Sequence, residues 1–174
     1  MIPTLVSLVP FGPDEPVKVI ELGGGDATLT DALLTQFRRA SVTVLEQDES
    51  VRQAVTERLT GFGDRVRVVA FDLSALDWWD RMFGADLVVS SMQIGALNDA
   101  KKQYLYKAVA DRLSPRGVLL IADRLEPGQL LHHLVWLKHA GFALVDCFWR
   151  NGARAIVGGL RQVAGSAPRP QAGS

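Results

Sequence analysis

The stretch Val17-Lys18-Val19-Ile20-Glu21-Leu22-Gly23-Gly24-Gly25-Asp26-Ala27 decides the fold of this chain. Its first six residues are mostly apolar and β-branched, which predicts a buried strand, and three glycines follow directly. Glycine permits a sharp turn, a positive φ angle and the close approach of a ligand. From Thr28 to Arg39 the apolar residues recur at helical spacing, so the stretch predicts a strand, a tight turn and a helix.

The alternation of strands and helices continues on the C-terminal side of this stretch. Four further strands are predicted, at Val42 to Leu45, Val66 to Phe71, Ala85 to Ser90 and Val118 to Ala122. Three further helices are predicted, from Glu49 to Leu59, from about Asp99 to Leu113 with Asn98 or Asp99 as N-cap, and from about Gln129 to Ala140. Pro115-Arg116-Gly117 is predicted to be a turn that leads into the strand at Val118.

The C-terminal part of the pattern is different. Phe142 to Trp149 and Arg154 to Gly158 are strand-like runs joined by only four residues, which include the turn signal Asn151-Gly152. Because so short a link cannot form a parallel crossover, the two runs predict an antiparallel hairpin. The residues from Gln162 to Ser174 show no periodicity and are predicted to form a disordered tail.

These elements predict an α/β protein with a Rossmann-like, doubly wound sheet of seven strands. The sheet should be mostly parallel, with one antiparallel strand from the C-terminal hairpin, in one domain over residues 1–161. Ligands of such sheets bind beyond the carboxyl ends of the strands.

Composition narrows the class of protein further. The 19 basic and 19 acidic residues cancel, which argues against a nucleic-acid partner or an acidic membrane surface. A single cysteine, Cys147, excludes an internal disulfide and fits a reducing compartment. The apolar start, Met1 to Pro10, lacks the features of a signal peptide, and no run is long enough to span a membrane. We therefore expect a globular cytoplasmic protein.

Acidic residues follow the first three predicted strands, at the edge where a ligand should bind. Glu21 ends the first strand before the glycines, Glu46 ends the second, and Asp72 follows the third. A carboxylate placed like that of Glu46 can accept hydrogen bonds from both hydroxyls of a ribose. Asp86 opens the fourth strand and Ser90 closes it.

With these motifs the sequence resembles the class I S-adenosylmethionine-dependent methyltransferases. Val19 to Gly25 is similar to the first motif of that family, Glu46 to its ribose-binding acid, and Phe71-Asp72-Leu73 to the pair that flanks the adenine. Leu113 to Asp123 is similar to the family's helix–turn–strand element, and Ala140-Gly141-Phe142 with the two closing strands is similar to its ending. This ending implies that Arg154 to Gly158 is antiparallel and inserted between the fifth and sixth strands. The resemblance implies S-adenosylmethionine as cofactor and the following cofactor-binding residues: Glu21, Gly23, Gly24, Gly25, Asp26, Glu46, Gln47, Asp72, Leu73 and Ser90.

Within that family the chain is most similar to small-molecule methyltransferases of the trans-aconitate type, which implies a small-molecule methyl acceptor. Ser90-Ser91-Met92-Gln93 differs from the Asn-Pro-Pro-Tyr motif of relatives that methylate amino groups, and Gly95-Ala96 stands where close relatives carry histidines. Ala27 replaces the usual third glycine, at little cost if this residue is already helical, and Asp26 could contact the ammonium group of the cofactor. Asp26 and Asp123 stay open as general bases, so no catalytic residue is assigned.

Two alternatives to a methyltransferase were considered. A nicotinamide dehydrogenase requires Gly-x-Gly-x-x-Gly, but the third position is Thr28 here, and the antiparallel ending is wrong for that fold. A non-catalytic module that binds S-adenosylmethionine and acts through a partner protein is the second alternative. It is suggested by the short segments before the first strand and at Arg124 to Gly128, where such enzymes usually have lid helices. A homodimer or a partner protein could cover the open pocket, with Met1 to Phe11 taking part.

A few other residues could be taken for sites. His132, His133 and His139 lie on one predicted helix without a carboxylate at ligand spacing, so we expect solvated or capping histidines and no metal site. Lys101 and Lys102 are expected on a solvated helix surface, and Cys147 in the core. One of Trp78 and Trp79 should pack in the core, and the other could shelter the adenine or the substrate.

Overall fold

The computed structural model describes residues 1–72 and 83–161, which form one seven-stranded sheet covered by helices. The strands are β1 (Val17–Leu22), β2 (Ala40–Glu46), β3 (Val66–Ala70), β4 (Ala85–Ser91), β5 (Leu113–Arg124), β6 (Phe142–Asn151) and β7 (Arg154–Arg161). The α-helices are α1 (Ile2–Ser7), α2 (Thr28–Gln36), α3 (Glu49–Arg58), α4 (Asp99–Arg112) and α5 (Pro127–Ala140). Single 3₁₀ segments cover Thr60–Arg65 and Ile94–Ala96.

The strand order is β3-β2-β1-β4-β5-β7-β6. Strands β1 to β5 pair in parallel, and β7 is antiparallel to both β5 and β6. The predicted fold class is therefore confirmed, including the insertion of the last strand between the fifth and sixth. The described helices are too short or too polar to cross a membrane.

Two apolar clusters fill the space between the sheet and its helices. One contains Leu105 and Val109 of α4 with Leu137 of α5, and the other contains Leu5 of α1 with Leu33 of α2. Neighbouring residues of a strand contribute to opposite clusters, as Ile121 and Ala122 of β5 do, because side chains alternate across a strand. This alternation identifies the sheet face on which each residue of β5 and β7 lies.

The predicted turn at Pro115 to Gly117 is wrong, because these residues lie within β5. The strand begins at Leu113, which pairs with Ala85, and the register shifts between Ala85 and Leu87. The irregular pairing lets a proline occupy the strand end without interrupting the ladder that follows. Helix α5 also begins earlier than predicted, at Pro127, where Glu126 and Gln129 form a reciprocal capping box.

The apolar start of the chain forms helix α1 and packs on the chain's own core. Leu5 is fully buried, and Val6 and Val9 are buried as well, in the cluster that contains α2. Leu8 and Phe11 are half-buried against the same cluster. The expectation that this apolar surface stays available to cover a pocket is therefore wrong for most of the segment.

The expectation that the histidines and lysines of the last two helices are solvated is wrong for two of them. His133 of α5 is fully buried, and its Nδ1 lies 2.5 Å from the hydroxyl oxygen of Tyr106 in α4. Burial lowers the pKa of His133 to about 4, with a smaller contribution from the charge of Lys102. Lys102 is itself only 6% exposed. His132 and His139 are exposed as expected.

Some predictions concern residues outside the described ranges, and one is confirmed only in part. Leu73, Trp78, Trp79 and the tail from Gln162 to Ser174 lie outside the described residues. Cys147 is half-buried rather than buried, with its Sγ 3.3 Å from the carbonyl oxygen of Trp149.

Candidate functional site

The glycine turn after β1 is shaped by positive φ angles and close contacts. Gly23 has a φ of 85°, and its N–H donates to the carbonyl of Leu45 at 2.8 Å, which ties the turn to β2. A Cβ at this position would lie 2.3 Å from Cγ of Gln93, the residue that follows β4 closely. Only glycine fits this conformation and this space together.

Glu46 holds the same turn from the end of β2. Its Oε2 accepts a hydrogen bond from the N–H of Gly24 at 2.8 Å, and its Oε1 accepts one from the N–H of Asp48 at 3.0 Å. The side chain of Glu46 is 9% exposed. Each carboxylate oxygen has a second lone pair, so Glu46 can still accept hydrogen bonds from a ligand in a fixed orientation.

A cavity of about 210 Å³ opens at the carboxyl ends of β1 to β4, over this turn. The backbone N–H of Phe71 donates to the carbonyl of Glu46 at 3.2 Å, which brings the end of β3 to the same place. The cavity is lined by Leu22, Gly23, Leu45, Glu46, Gln47, Phe71, Asp72, Gln93, Ala96 and Leu97. Of the predicted cofactor-binding residues, the structure therefore brings Gly23, Glu46, Gln47 and Asp72 together.

The sequence reasoning missed the contribution of the segment after β4. Gln93, Ala96 and Leu97 line the cavity. In the sequence, Gln93 and Ala96 were interpreted only as departures from motifs of relatives, and Leu97 was not singled out. Their position directly beyond the carboxyl end of a central parallel strand was the signal that could have identified them.

Glu21 lies beneath the turn rather than in the cavity wall. It is 2% exposed, and its Oε2 accepts a hydrogen bond from the hydroxyl of Thr30 in α2 at 2.5 Å. Burial raises the pKa of Glu21 to about 8, against the opposing effect of the Thr30 hydrogen bond. Burial therefore favours the protonated form of Glu21, which links the glycine turn to helix α2.

The remaining predicted site residues lie around the turn without lining the cavity. The exposed Asp26 accepts a hydrogen bond from the N–H of Thr28 at 3.1 Å, and bonding to Thr28 holds the pKa of Asp26 below its ordinary value. Ser90 is fully buried and donates to the carbonyl of Leu22 at 3.1 Å, which joins β4 to β1. Gly24 reaches the site through its bond to Glu46, and Gly25 has a φ of 50° with no atom near its absent Cβ.

Ala27 is not helical, so the condition under which an alanine would replace the third glycine at little cost is not met. The residue caps the N-terminus of α2 with a φ of 64°, in the left-handed region, and its N–H donates to the carbonyl of Gly24 at 2.9 Å. A non-glycine residue in this region costs about 1–2 kcal/mol. Complete burial of Ala27 in the core helps to hold the turn in this strained form.

Both carboxylate oxygens of Asp123, one of the two candidate general bases, accept hydrogen bonds from the backbone. Its Oδ2 accepts from the N–H of Gly95 and its Oδ1 from the N–H of Arg124, both at 2.7 Å. The residue is 4% exposed, and a Cβ on Gly95 would lie 3.1 Å from Oδ1. Asp123 therefore anchors the segment that contributes Ala96 and Leu97 to the cavity.

The site offers hydrogen-bond acceptors and apolar walls rather than a nucleophile. The described residues contain no group of three or more His, Cys, Asp or Glu side chains arranged to hold a metal ion. A carboxylate, a glycine turn and apolar side chains at the carboxyl ends of parallel strands suit a ligand with a sugar and an adenine-like ring.

Comparison with known proteins agrees with this geometry. Residues 20–119 match the family described as methyltransferase domain, whereas no curated protein sequence matches significantly. The solved structure of the S-adenosylmethionine-dependent methyltransferase SibL has a TM-score of 0.76 at 22% identity, covering 92% of this chain and 54% of SibL.

Two further solved structures have the same fold. Human N-acetylserotonin methyltransferase in complex with S-adenosylmethionine has a TM-score of 0.74 at 14% identity, covering 93% of this chain and 52% of that one. The mitomycin 7-O-methyltransferase MmcR has a TM-score of 0.69 at 18% identity, covering 92% and 54%. This chain thus spans about half the length of these three proteins.

The match over residues 20–119 covers more than half of the 174 residues and includes β1, the glycine turn and Glu46. The prediction of a methyltransferase is confirmed at the level of the family, whereas the trans-aconitate grouping is not confirmed. The chain therefore belongs to the methyltransferase domain family.

Proposed function

We propose that this chain binds S-adenosylmethionine in the cavity above the glycine turn and transfers its methyl group to a small-molecule acceptor. The observation that carries the proposal is the position of Glu46. Its carboxylate is held by two backbone N–H groups and faces the same cavity as Gly23 and Asp72.

The residues of the site fit the parts of this cofactor. Glu46 would accept hydrogen bonds from the ribose hydroxyls, and Asp72 at the end of β3 would meet the adenine. Phe71, Leu97 and Leu45 supply apolar surface for the ring. Glu21, Gly24, Gly25, Asp26, Leu73 and Ser90 stay predictions as cofactor-binding residues, and the first two would act by fixing the turn.

When bound, S-adenosylmethionine supplies a methyl group activated by its sulfonium, which an acceptor atom displaces in line. The chain's own residues need only bind, align and exclude water from the two reactants. A general base is required only for an acceptor that is protonated at neutral pH. Asp123 is an anchor of the Gly95 segment and a poor candidate for that base.

Oxygen is the acceptor atom that we favour, because one of the similar structures is a 7-O-methyltransferase and the chain lacks the Asn-Pro-Pro-Tyr motif. The narrower trans-aconitate grouping stays a prediction. The membership of the methyltransferase domain family does not favour the alternative of a non-catalytic binding module. The possible homodimer or partner protein over the pocket also stays a prediction, as does a cytoplasmic location.

The test is the affinity for S-adenosylhomocysteine of the Glu46→Ala variant, measured by calorimetry. We expect an affinity about tenfold to a hundredfold lower than that of the parent protein, because a charge-assisted bond pair is lost. Glu49→Ala, an exposed residue of the first turn of α3, is the matched control and should bind normally.

Far-UV circular dichroism must accompany the binding measurement, because Glu46 also accepts hydrogen bonds from Gly24 and Asp48. A folded Glu46→Ala protein with unchanged affinity would contradict the assignment of Glu46 to the ribose. A parent protein that binds neither S-adenosylmethionine nor S-adenosylhomocysteine would contradict the proposed function as a whole.

A further inference from the structure

Two arginines lie directly opposite each other where β5 and β7 pair at the ligand-binding edge of the sheet. Arg124 is the last residue of β5, Arg154 is the first residue of β7, and the antiparallel register makes them partners. The N–H of Leu125 donates to the carbonyl of Ala153 at 2.6 Å, so the ladder continues past them and fixes their spacing.

The alternation of side chains places both arginines on the same face of the sheet. Arg124 is two residues after Ala122, and Arg154 is two residues before Ile156. Ala122 and Ile156 belong to the core cluster that includes α1 and α2. Arg150 pairs with Ala155, which belongs to the other cluster, so this third arginine lies on the opposite face.

Neither arginine of the pair has an acidic partner within residues 1–72 and 83–161. No carboxylate oxygen of these residues lies within 4.0 Å of either guanidinium, whereas Arg38 and Arg116 both have one. The nearest carboxylate along the chain, that of Asp123, is on the opposite face and is held by Gly95. Like charges directly opposite in a sheet destabilise it, so an anion would relieve the repulsion.

The surroundings of the pair suggest what kind of anion it would bind. Asn151, the partner of Arg154 on β6, adds an amide, and the half-buried indole of Trp149 lies on the same face opposite Ile156. An indole and two guanidinium groups on one face of neighbouring strands suit an aromatic ring that bears an anionic group.

The pair lies at the same carboxyl-terminal edge of the sheet as the cavity. The N–H of Met92 donates to the carbonyl of Ala122 at 2.8 Å, and two residues of extended strand, about 7 Å, separate Ala122 from Arg124. Met92 directly precedes Gln93 of the cavity wall and is 47% exposed, with a φ of 61°. Its exposed side chain therefore adds apolar surface at the end of β4, where its backbone bonds to Ala122 of β5.

We propose that Arg124 and Arg154 bind the carboxylate of an aromatic acid that is the methyl acceptor of this chain. The inference rests on the proposed function and adds the chemical class of the acceptor. A carboxylate between the two guanidinium groups would place the aromatic ring against Trp149 or Met92, with the reacting atom directed toward the cavity. The methyl group would pass from the sulfonium of S-adenosylmethionine to that atom and leave S-adenosylhomocysteine, and a hydroxyl acceptor would give up its proton to solvent water.

The test is a nuclear magnetic resonance titration of the arginine Nε–Hε signals in ¹⁵N-labelled protein saturated with S-adenosylhomocysteine. Benzoate is the probe and benzamide, which has the same ring without the charge, is the matched control. We expect the signals of Arg124 and Arg154 to shift together and to saturate with benzoate, while those of Arg150 and Arg39 do not. Arg154→Gln should lower the affinity for benzoate about tenfold, and Arg150→Gln should not.

The outcomes separate this inference from the function on which it rests. Binding of S-adenosylhomocysteine without a saturable benzoate response at Arg124 and Arg154 would overturn the inference alone. An equal response to benzamide, or a tighter response to inorganic phosphate, would overturn the aromatic carboxylate as the occupant. A benzoate response in a protein that does not bind S-adenosylhomocysteine would contradict the assignment to a methyl acceptor.

Discussion

Two parts of the same sheet edge differ in how their charged side chains are paired. At the ends of β1 and β2, the carboxylate of Glu46 accepts two backbone hydrogen bonds, and Glu21 bonds to Thr30. At the ends of β5 and β7, Arg124 and Arg154 are opposed on one face without an acidic partner among the described residues. We call these the glycine-turn edge and the arginine edge.

The difference indicates where each edge obtains its binding energy. Groups of the glycine-turn edge are fixed before a ligand arrives, so little conformational entropy is lost on binding. The charges of the arginine edge repel each other until an anion binds, so this edge is less stable without its ligand. Substitutions at the glycine-turn edge should therefore weaken cofactor binding, whereas removing one charge at the arginine edge should stabilise the fold while weakening anion binding.

The largest effect of a backbone substitution is expected for Gly23→Ala at the glycine-turn edge. The left-handed backbone of Gly23 costs an alanine about 1–2 kcal/mol, and the new Cβ would overlap the side chain of Gln93. The turn would have to shift, which moves the N–H of Gly24 away from Glu46. We expect the affinity for S-adenosylhomocysteine, measured by calorimetry, to fall about tenfold or more.

Two variants separate backbone strain from overlap at this turn. Gly25→Ala adds a Cβ with no atom within 4 Å at a φ of 50°, so it tests strain alone and should have the smaller effect. Gly23→Ala combined with Gln93→Ala removes the overlap and should recover only part of the lost affinity. Full affinity in the single Gly23→Ala variant would show that the turn is not rigid.

Most of the fold and the glycine-turn edge could be predicted from the sequence, because they depend on local patterns. The glycines after β1, the acid that ends β2 and the Asn151-Gly152 turn each specify a nearby backbone, and the resemblance to a known family added the insertion of the last strand. The burial of His133 and Lys102 could not be predicted, because it depends on how α4 packs on α5. The opposition of Arg124 and Arg154 likewise requires the register between two strands that are distant in sequence.

A second prediction concerns the pH dependence of stability at the glycine-turn edge. Burial raises the pKa of Glu21 from 4.5 to about 8, so between these values the folded protein holds a proton that the unfolded chain has lost. The free energy of unfolding should therefore fall as the pH rises through this window, by at most about 1.4 kcal/mol per pH unit. Glu21→Gln, which stays uncharged and can accept from Thr30, should remove this slope.

Urea denaturation at several pH values across that window measures the slope. Glu49→Gln is the control, because Glu49 is exposed in the first turn of α3 and should leave the slope unchanged. An identical slope in the parent protein and in Glu21→Gln would show that Glu21 is ionised in the folded state.

The smallest effect is expected at the arginine edge, and its sign is opposite. Arg154→Gln removes one of two like charges that face each other, so the variant should be more stable than the parent by about 0.2–1 kcal/mol at low salt. The gain should shrink as salt screens the repulsion. Arg150→Gln is the control: it lies on the other face and loses the bond from its Nε to the carbonyl of Gly152, so it should show no gain.

Urea denaturation at low and high salt measures both arginine variants. Suppose that Arg154→Gln is more stable than the parent only at low salt and also loses benzoate binding. This result would mean that the arginine edge keeps a destabilising pair of charges because they bind a ligand. Unchanged or lower stability of Arg154→Gln at low salt would mean that solvent already screens the two charges. The arginine edge would then have no strain for an anion to relieve.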